Sequence, residues 1–180
     1  MRIRKDRTAG LIVDIQERLF PVMSGKEELL ANCTKLVKGL QILGIPLLVT
    51  QQYTKGLGET IPEISSLIPG FRSVEKRDFS CCGSSEVMTG LFELKADNIL
   101  LCGIESHVCV LQTALDLKES GYNPVVVADA VSSRNPASID LAKERFRYEG
   151  IMMTSVESVL FELTGSSAAP EFREISRIVK

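Results

Sequence analysis

The sequence predicts an α/β fold, a single doubly wound three-layer α/β/α domain built around a mostly parallel six-stranded sheet. Short runs that are apolar throughout alternate with amphipathic segments, and strands buried on both faces are typical of parallel sheets covered by helices. The chain has 180 residues, which is enough for one such domain and leaves little room for a second. We therefore expect residues 1–180 to form one domain.

The N-terminal half already shows the alternation. Thr8–Val13 is a β-rich run, and Glu27–Leu43 carries apolar side chains at helical spacing. Gly44 ends that helix, and Pro46–Thr50 is predicted as the next buried strand. Residues 51–70 hold glycines and prolines but few apolar anchors, so we predict a long loop, and long loops in compact domains are often functional.

The C-terminal part continues the same pattern of strands and helices. In chain order it predicts a strand at Phe71–Lys76, a helix from about Ser84 to Leu94, a strand at Asn98–Cys102, a helix at Val108–Ser120, a strand at Pro124–Ala128, a helix at Pro136–Tyr148, a strand at Ile151–Thr154, a helical region at Val156–Leu163 and a terminal helix at Pro170–Val179. Polar residues at the carboxyl ends of these strands are candidate site residues, because open parallel sheets bind ligands there.

Charge and apolar content narrow the function classes. The chain has 21 Lys and Arg against 23 Asp and Glu, a net charge of −2 at pH 7. No basic surplus exists to neutralise phosphates, so nucleic acid is not expected as a partner. The longest apolar stretches are too short to cross a bilayer, so no membrane association is expected. Five cysteines without an export signal predict free thiols in the cytoplasm.

Several types of site are excluded by simple inspection. The single histidine, His107, rules out zinc sites that need two histidines from one chain. No G-x-x-x-x-G-K-[ST] segment occurs, and no G-x-G-x-x-G follows the first strand, so phosphate-binding loops of these types are absent from the sequence. The adjacent Cys81 and Cys82 lack a C-x-x-C partner pair that would favour a metal site.

Cys109 is the candidate nucleophile. It lies in CGIESHVCV, in the first turn of the helix predicted after a buried strand. Because a helix N-terminus carries partial positive charge, we expect the pKa of this thiol to fall below the ~8.5 of a free cysteine. The alternative is a buried apolar cysteine, the common fate of free cysteines. His107 is two residues away and points in another direction, so it is interpreted as a pocket or surface residue rather than the base.

Asp14 and Lys76 each end a predicted strand. Asp14 opens the segment DIQE and is expected either to cap the next helix or to accept a proton from a nucleophile. Lys76 is either a solvated lysine at a strand end or a cation that lowers the pKa of a neighbouring thiol and keeps a carboxylate charged.

Taken together, these segments carry a resemblance. DIQE after the first strand, a lysine that ends a middle strand, and CGIESHVCV before a helix resemble the isochorismatase-like cysteine hydrolase superfamily. TQQYTKGLGETIPEI and VVVADAVSSR are similar to its branch of isochorismatase-domain-containing proteins. The motifs occur in order, and the resemblance covers nearly the whole chain. It implies the superfamily's Rossmann-like fold and a catalytic triad of Asp14, Lys76 and Cys109.

The resemblance also implies how an oxyanion would be bound and how the chain assembles. Backbone N–H groups of Glu105 and Cys109 would form the oxyanion hole, and the Ile104–Glu105 peptide bond would be cis. Superfamily members form dimers or larger rings, so a homo-oligomer is expected, with Val156–Leu163 and Phe172–Val179 as candidate contact segments.

This chain departs from two branches of the superfamily. Nicotinamidases carry an aspartate and two histidines after the second strand, where this sequence reads Thr50-Gln51-Gln52-Tyr53. We therefore expect no metal and no cofactor, and nicotinamide is disfavoured as a substrate. Siderophore-type isochorismatases lack the cysteine, so Cys109 argues against vinyl-ether hydrolysis.

The sequence thus predicts a metal-independent cysteine hydrolase that cleaves a C–N bond in a small amide, carbamoyl or ureido substrate. The alternatives are a non-catalytic binding or scaffold protein that retains the fold, or an isochorismate-type vinyl-ether hydrolase. Six residues are predicted to line the substrate pocket: Phe20, Gln51, Gln52, Tyr53, Leu57 and Phe79.

Overall fold

The computed structural model describes residues 2–180. Its strands are β1 (Thr8–Val13), β2 (Leu47–Gln52), β3 (Val74–Lys76), β4 (Asn98–Ile104), β5 (Asn123–Ser132) and β6 (Met152–Thr154). Its helices are α1 (Lys26–Ile42), α2 (Thr54–Leu57), α3 (Pro62–Ser65), α4 (Ser85–Glu93), α5 (Leu111–Glu119), α6 (Pro136–Tyr148), α7 (Val156–Thr164) and α8 (Phe172–Val179), and a π-helical turn at Ser106–Val110 precedes α5.

The strands form one six-stranded sheet in the order β3-β2-β1-β4-β5-β6. Every neighbouring pair of strands is parallel. The chain winds outward from β1 to one edge and then returns to β4 to build the other half, so the order reverses between β1 and β4. The crevice at the carboxyl ends of these two strands is the expected ligand site of such a sheet.

Helices cover both faces of the sheet, as predicted. All residues of β1 and β4 are buried, and their side chains alternate between the two faces. Ile12 and Leu100 belong to the core beneath α1, α7 and α8. Leu11 and Leu101 belong to the core beneath α4, α5 and α6. The α/β three-layer fold with a mostly parallel sheet is therefore confirmed.

The structure corrects several predicted boundaries. β3 begins at Val74 rather than Phe71, because the Phe71 N–H turns back to the Ile68 carbonyl at 3.1 Å and its ring packs on the core. β2 continues to Gln52 and β5 to Ser132, beyond the apolar runs that predicted them. Residues 51–70 are a long connection, as predicted, but include the short helices α2 and α3.

The candidate oligomer contact segments pack largely against their own sheet. In α7, the apolar side chains Val156, Val159, Leu160 and Leu163 are buried in the core of this chain, and Ile175 of α8 is fully buried beside them. These apolar side chains pack against the sheet. Phe161 and Phe172 are only half-buried, so the part of these segments in an oligomer contact stays a prediction.

All five cysteines are free thiols. None of the helices within residues 2–180 combines the length and the apolar character needed to cross a lipid bilayer.

Candidate active site

Asp14 immediately follows β1, at the reversal point of the sheet. Its side chain is fully buried, and its backbone adopts a positive φ of 52°. Positive φ in a residue other than glycine costs on the order of 1 kcal/mol and is common at functional sites. Gly103 of β4 lies alongside, where a Cβ would come within 2.0 Å of the Val13 carbonyl oxygen. Only glycine allows the two central strands to approach so closely here.

Lys76, the last residue of β3, points at this carboxylate. Its Nζ lies 2.6 Å from Asp14 Oδ2, and both side chains have 0% exposure. The ammonium also donates to Gln52 Oε1 at 2.8 Å and to the Phe79 carbonyl at 3.0 Å. Burial by itself would lower the pKa of Lys76, but the charge and hydrogen bond of Asp14, together with the charges of the Cys81 and Cys109 thiolates, outweigh it and raise that pKa. Lys76 is a buried cation rather than a solvated lysine.

Cys109 lies in the π-helical turn, with only 7% of its surface exposed. Burial raises the pKa of its thiol to about 12; the Asp14 carboxylate adds to the increase, and Lys76 opposes it. The expected decrease of this pKa is therefore wrong for the resting site, since desolvation and a neighbouring carboxylate outweigh one ammonium and a helix terminus. Asp14 and Lys76 thus act on the same thiol in opposite directions, as groups close to one another do.

Glu105 connects β4 to the turn that carries Cys109. The Ile104–Glu105 peptide bond is cis, as the resemblance implied. The Glu105 carbonyl accepts from the N–H groups of Val108 and Val110, whereas its own N–H donates to no other residue in the range 2–180. Its carboxylate accepts from the Arg134 N–H at 2.9 Å and from Arg134 Nε at 3.2 Å.

His107 has a hydrogen-bond partner other than Asp14, Lys76 or Cys109. Its Nδ1 lies 2.9 Å from Ser133 Oγ, in the segment that follows β5. This partner is consistent with the interpretation of His107 as a residue other than the base.

Two residues near Asp14 were missed from the sequence. Thr50 donates its hydroxyl to Asp14 Oδ1 at 2.8 Å and also lies 3.7 Å from Cys81 Sγ. Burial raises the pKa of Cys81 to about 11. Thr50 ends the strand predicted at Pro46–Thr50 and pairs with Val13, the residue before Asp14. Its position at the end of a predicted strand is the signal that identifies it. Cys81 gives no such signal, because a 3₁₀ turn and the Thr113 hydroxyl position it.

The predicted pocket residues divide into two groups. Gln51 is buried, and its amide binds Glu59 and Thr60, so it supports the loop after β2. Gln52 binds Lys76 and the Arg77 carbonyl. Tyr53 is exposed and lies 4.3 Å from the Arg77 guanidinium, measured to the ring centroid.

The remaining pocket residues lie at the periphery. Phe79 is exposed, whereas Phe20 and Leu57 are half-buried. Two clefts lie elsewhere: one of about 620 Å³ opens beside α6, and one of about 880 Å³ runs between β2 and α4. Neither cleft is lined by Asp14, Lys76 or Cys109. The pocket assignment therefore stays a prediction.

Metal-ligating residues do not converge in the described chain. Across residues 2–180, no group of three or more His, Cys, Asp or Glu side chains has an arrangement suited to a metal ion. At the end of β2, the donors are the amides of Gln51 and Gln52 and the phenol of Tyr53, and both amides are engaged with protein groups.

Comparison with known proteins identifies the family. Residues 8–158 match the isochorismatase domain. A secreted isochorismatase effector of Phytophthora sojae is 37% identical over 94% of this chain and 82% of its own length. The mouse isochorismatase domain-containing protein 2A is 34% identical, over 99% and 85% of the two chains. The solved MAR1 ribonuclease of Caenorhabditis elegans is 35% identical with a TM-score of 0.93, over 99% and 92%. The chain belongs to the isochorismatase family and has its hydrolase fold.

Proposed function

We propose that this protein is a metal-independent cysteine hydrolase that cleaves a C–N bond of a small amide, carbamoyl or ureido substrate through a Cys109 acyl-enzyme. The observation that carries the proposal is the fully buried Asp14–Lys76 ion pair beside the Cys109 thiol. Burying two charges is costly unless their geometry is used, and a binding protein has no evident need for a carboxylate, an ammonium and a thiol together.

The high pKa of the resting thiol supports general-base catalysis in the first step. The Cys109 sulfur attacks the substrate carbonyl carbon, and its proton passes to the Asp14 carboxylate as the C–S bond forms. Lys76 stays protonated and balances the negative charge of Asp14 before the transfer. The carbonyl electron pair moves to oxygen, and the N–H groups of Glu105 and Cys109 donate to the resulting oxyanion.

The second half returns the enzyme to its starting state. The tetrahedral intermediate collapses, the C–N bond breaks, and the leaving nitrogen takes the proton from Asp14. Water then attacks the thioester and gives a proton to Asp14, and the C–S bond breaks as that proton returns to Cys109. The net reaction adds one water and releases an acid and an amine, and it needs no redox partner.

The proposed substrate is small and is not nucleic acid. Cys109 is nearly enclosed, so a reacting carbonyl must enter a narrow opening. The nematode neighbour is described as a ribonuclease, but this chain has a net charge of −2 and no basic surplus to neutralise a phosphate backbone. We therefore keep a small molecule as the substrate.

A second candidate is vinyl-ether hydrolysis of the isochorismate type. It is favoured by the Phytophthora sojae relative, whose name describes it as an isochorismatase. Cys109 is the feature that separates the candidates, since the amidase reaction passes through a covalent bond to its sulfur.

The test is a substrate panel of small amides, ureides and carbamates, together with isochorismate, against the wild type, Cys109→Ala and Cys33→Ala. The proposal expects turnover of one C–N substrate, its loss in Cys109→Ala, and its retention in Cys33→Ala, whose thiol is buried in the core. A thioester mass on Cys109 after a rapid acid quench adds direct support. Isochorismate turnover that survives Cys109→Ala favours the second candidate, and no turnover of any compound favours a scaffold.

A further inference from the structure

The outer edge of β2 is only half covered. β3 pairs with Thr50, Gln51 and Gln52, and the ladder between the two strands does not reach further back along β2. The first half of β2 pairs with β1 on its other side, from Leu47 onward. The first part of β2, from Leu47 to the Val49 N–H, therefore forms a strand edge without a neighbouring strand.

The directions of the peptide groups follow from two hydrogen bonds. The Pro46 carbonyl accepts from the Gly10 N–H at 2.9 Å, so residue 46 faces β1. The Tyr53 N–H donates to the Lys76 carbonyl at 3.1 Å, so residue 53 faces β3. Because peptide groups alternate along a strand, those of Leu47 and Val49 face away from β1. The Thr50–Val74 pairing takes up the Val49 carbonyl through the Val74 N–H, so the Leu47 N–H and carbonyl and the Val49 N–H are the groups left at the open edge. Among residues 2–180, neither N–H has a loop or side-chain acceptor.

The open edge lies in a groove rather than on a flat surface. The groove has a volume of about 880 Å³. One wall is formed by Ile68 and Pro69, on the side where Val49 enters the α1 core. The other wall is α4, whose Gly90 packs so closely that a Cβ would lie 3.3 Å from Leu48 Cδ2. A strand laid along β2 would have one of these walls on each side.

The two walls differ in chemistry. Ile68 and Pro69 are apolar, whereas α4 presents Glu86 and Glu93, both exposed and without a salt bridge in the described chain. Arg72 is the one basic residue among those lining the groove. Since side chains of a strand alternate between faces, an added strand would direct every second side chain to the apolar wall and the others to the acidic wall.

We propose that this groove binds an extended segment of a partner protein, in which apolar and basic side chains alternate, as an added strand beside Leu47–Val49. The segment would take up the open peptide groups of β2, which is the means by which sheet edges bind peptides. Its apolar side chains would contact Ile68 and Pro69, and its basic side chains would pair with Glu86 and Glu93. The proposal does not depend on the hydrolase activity.

The first test uses a fluorescein-labelled peptide with the sequence Val-Lys-Val-Lys-Val and measures anisotropy against protein concentration. We expect saturable binding, weakened about tenfold or more in the double variant Glu86→Lys/Glu93→Lys. Glu119→Lys is the matched control, because Glu119 is the exposed last residue of nine-residue α5, as Glu93 is of nine-residue α4. Absence of saturable binding, or equal weakening by the control, overturns the proposal.

The second test separates strand addition from charge attraction. Two versions of the peptide are N-methylated on alternate residues, one on the odd-numbered and the other on the even-numbered residues. Each version therefore lacks the N–H groups along one of its own two edges. Strand addition requires that only one of the two lose binding, and equal affinity of both overturns the proposal. Sedimentation of the wild type and of the double variant tests whether a second copy of the chain occupies the edge instead. If the wild type self-associates, the double variant is a monomer and the peptide does not bind, then the edge binds a second copy and the proposal is wrong.

Discussion

Lys76 Nζ and Asp14 Oδ2 are 2.6 Å apart in the interior of the protein, and neither side chain is accessible to solvent. The pair joins β3, at one edge of the sheet, to the end of the central strand β1. Because the groups are desolvated, each depends on the other for charge compensation, and removing one leaves an uncompensated buried charge.

Replacing Lys76 with Met is therefore expected to destabilise the fold by about 3–5 kcal/mol, because Asp14 loses its buried counter-ion. Urea unfolding at neutral pH measures the effect. Arg145→Ala is the control, since it removes an exposed ion pair with Glu149 and should change stability little. Equal losses in the two variants would contradict a buried, interdependent pair.

The same pair predicts a loss of stability at alkaline pH. The pKa of Lys76 is raised in the folded protein, so its contribution is fully present below the unfolded value of about 10.4 and is lost as pH rises through the folded pKa. We expect the free energy of unfolding of the wild type to fall above about pH 10 more than that of Lys76→Met. Parallel pH profiles for the two proteins would rule out this contribution.

Cys109 is predicted to react as a thiol with a high pKa rather than as a permanent thiolate. With a pKa of about 12, its thiolate fraction should rise about tenfold per pH unit between pH 7 and pH 9. Iodoacetamide labelling followed by mass mapping measures the rate for each cysteine. A rate that is already at its plateau near pH 6 would contradict the general-base mechanism and restore the expectation of a depressed pKa.

Thr50 is predicted to position the base. Its hydroxyl donates to Asp14 Oδ1, so Thr50→Val leaves a buried carboxylate oxygen without that donor, while Thr50→Ser keeps the hydroxyl. A hydrogen bond to a charged group contributes about 1.5–3 kcal/mol, so we expect kcat/KM to fall about tenfold or more in Thr50→Val. Recovery in Thr50→Ser distinguishes positioning from packing, and an equal loss in both variants would assign Thr50 a packing role only.

Much of the fold follows from local patterns. β1 and α6 have the predicted boundaries, because the apolar run of Thr8–Val13 and the Pro and Gly flanking Pro136–Tyr148 are local signals. The start of β3 could not be predicted in this way, because the Phe71 ring packs on the core and draws its residue away from the strand.

In the candidate site, too, local sequence patterns predict some features, whereas others depend on tertiary packing. Asp14 and Lys76 can be identified because each is a charged residue at the end of a strand. Their ion pair does not follow from the register, because β2 lies between β1 and β3. The direction of the pKa change at Cys109 cannot be predicted from the sequence, because it depends on burial, which tertiary packing determines. Gln51 was assigned to the pocket from its loop position, but its buried partners Glu59 and Thr60 hold its amide within the loop.

Activity, once a substrate is found, is predicted to survive exhaustive chelation. The end of β2 and the next position carry Gln51, Gln52 and Tyr53 rather than histidines, and zinc in proteins is bound by Cys, His, Asp and Glu side chains. Turnover is measured before and after dialysis against EDTA, with the residual metal content determined independently. Loss of turnover that zinc or manganese restores would contradict a metal-independent mechanism.

Self-association is predicted to use α6, since most apolar side chains of α7, and Ile175 of α8, are buried in the core of this chain. Leu141 is 64% exposed and Tyr148 is 87% exposed, and a separation of seven residues places both on one face of the helix. A paired apolar face of this kind is typical of contact between identical subunits.

We therefore expect the wild type to sediment as an oligomer, and Leu141→Glu/Tyr148→Glu to shift it to a monomer that remains folded. Phe92→Glu is the control, because Phe92 is 76% exposed but belongs to α4. A monomeric wild type at micromolar concentration would contradict the prediction, as would dissociation by Phe92→Glu alone, which would move the contact to α4.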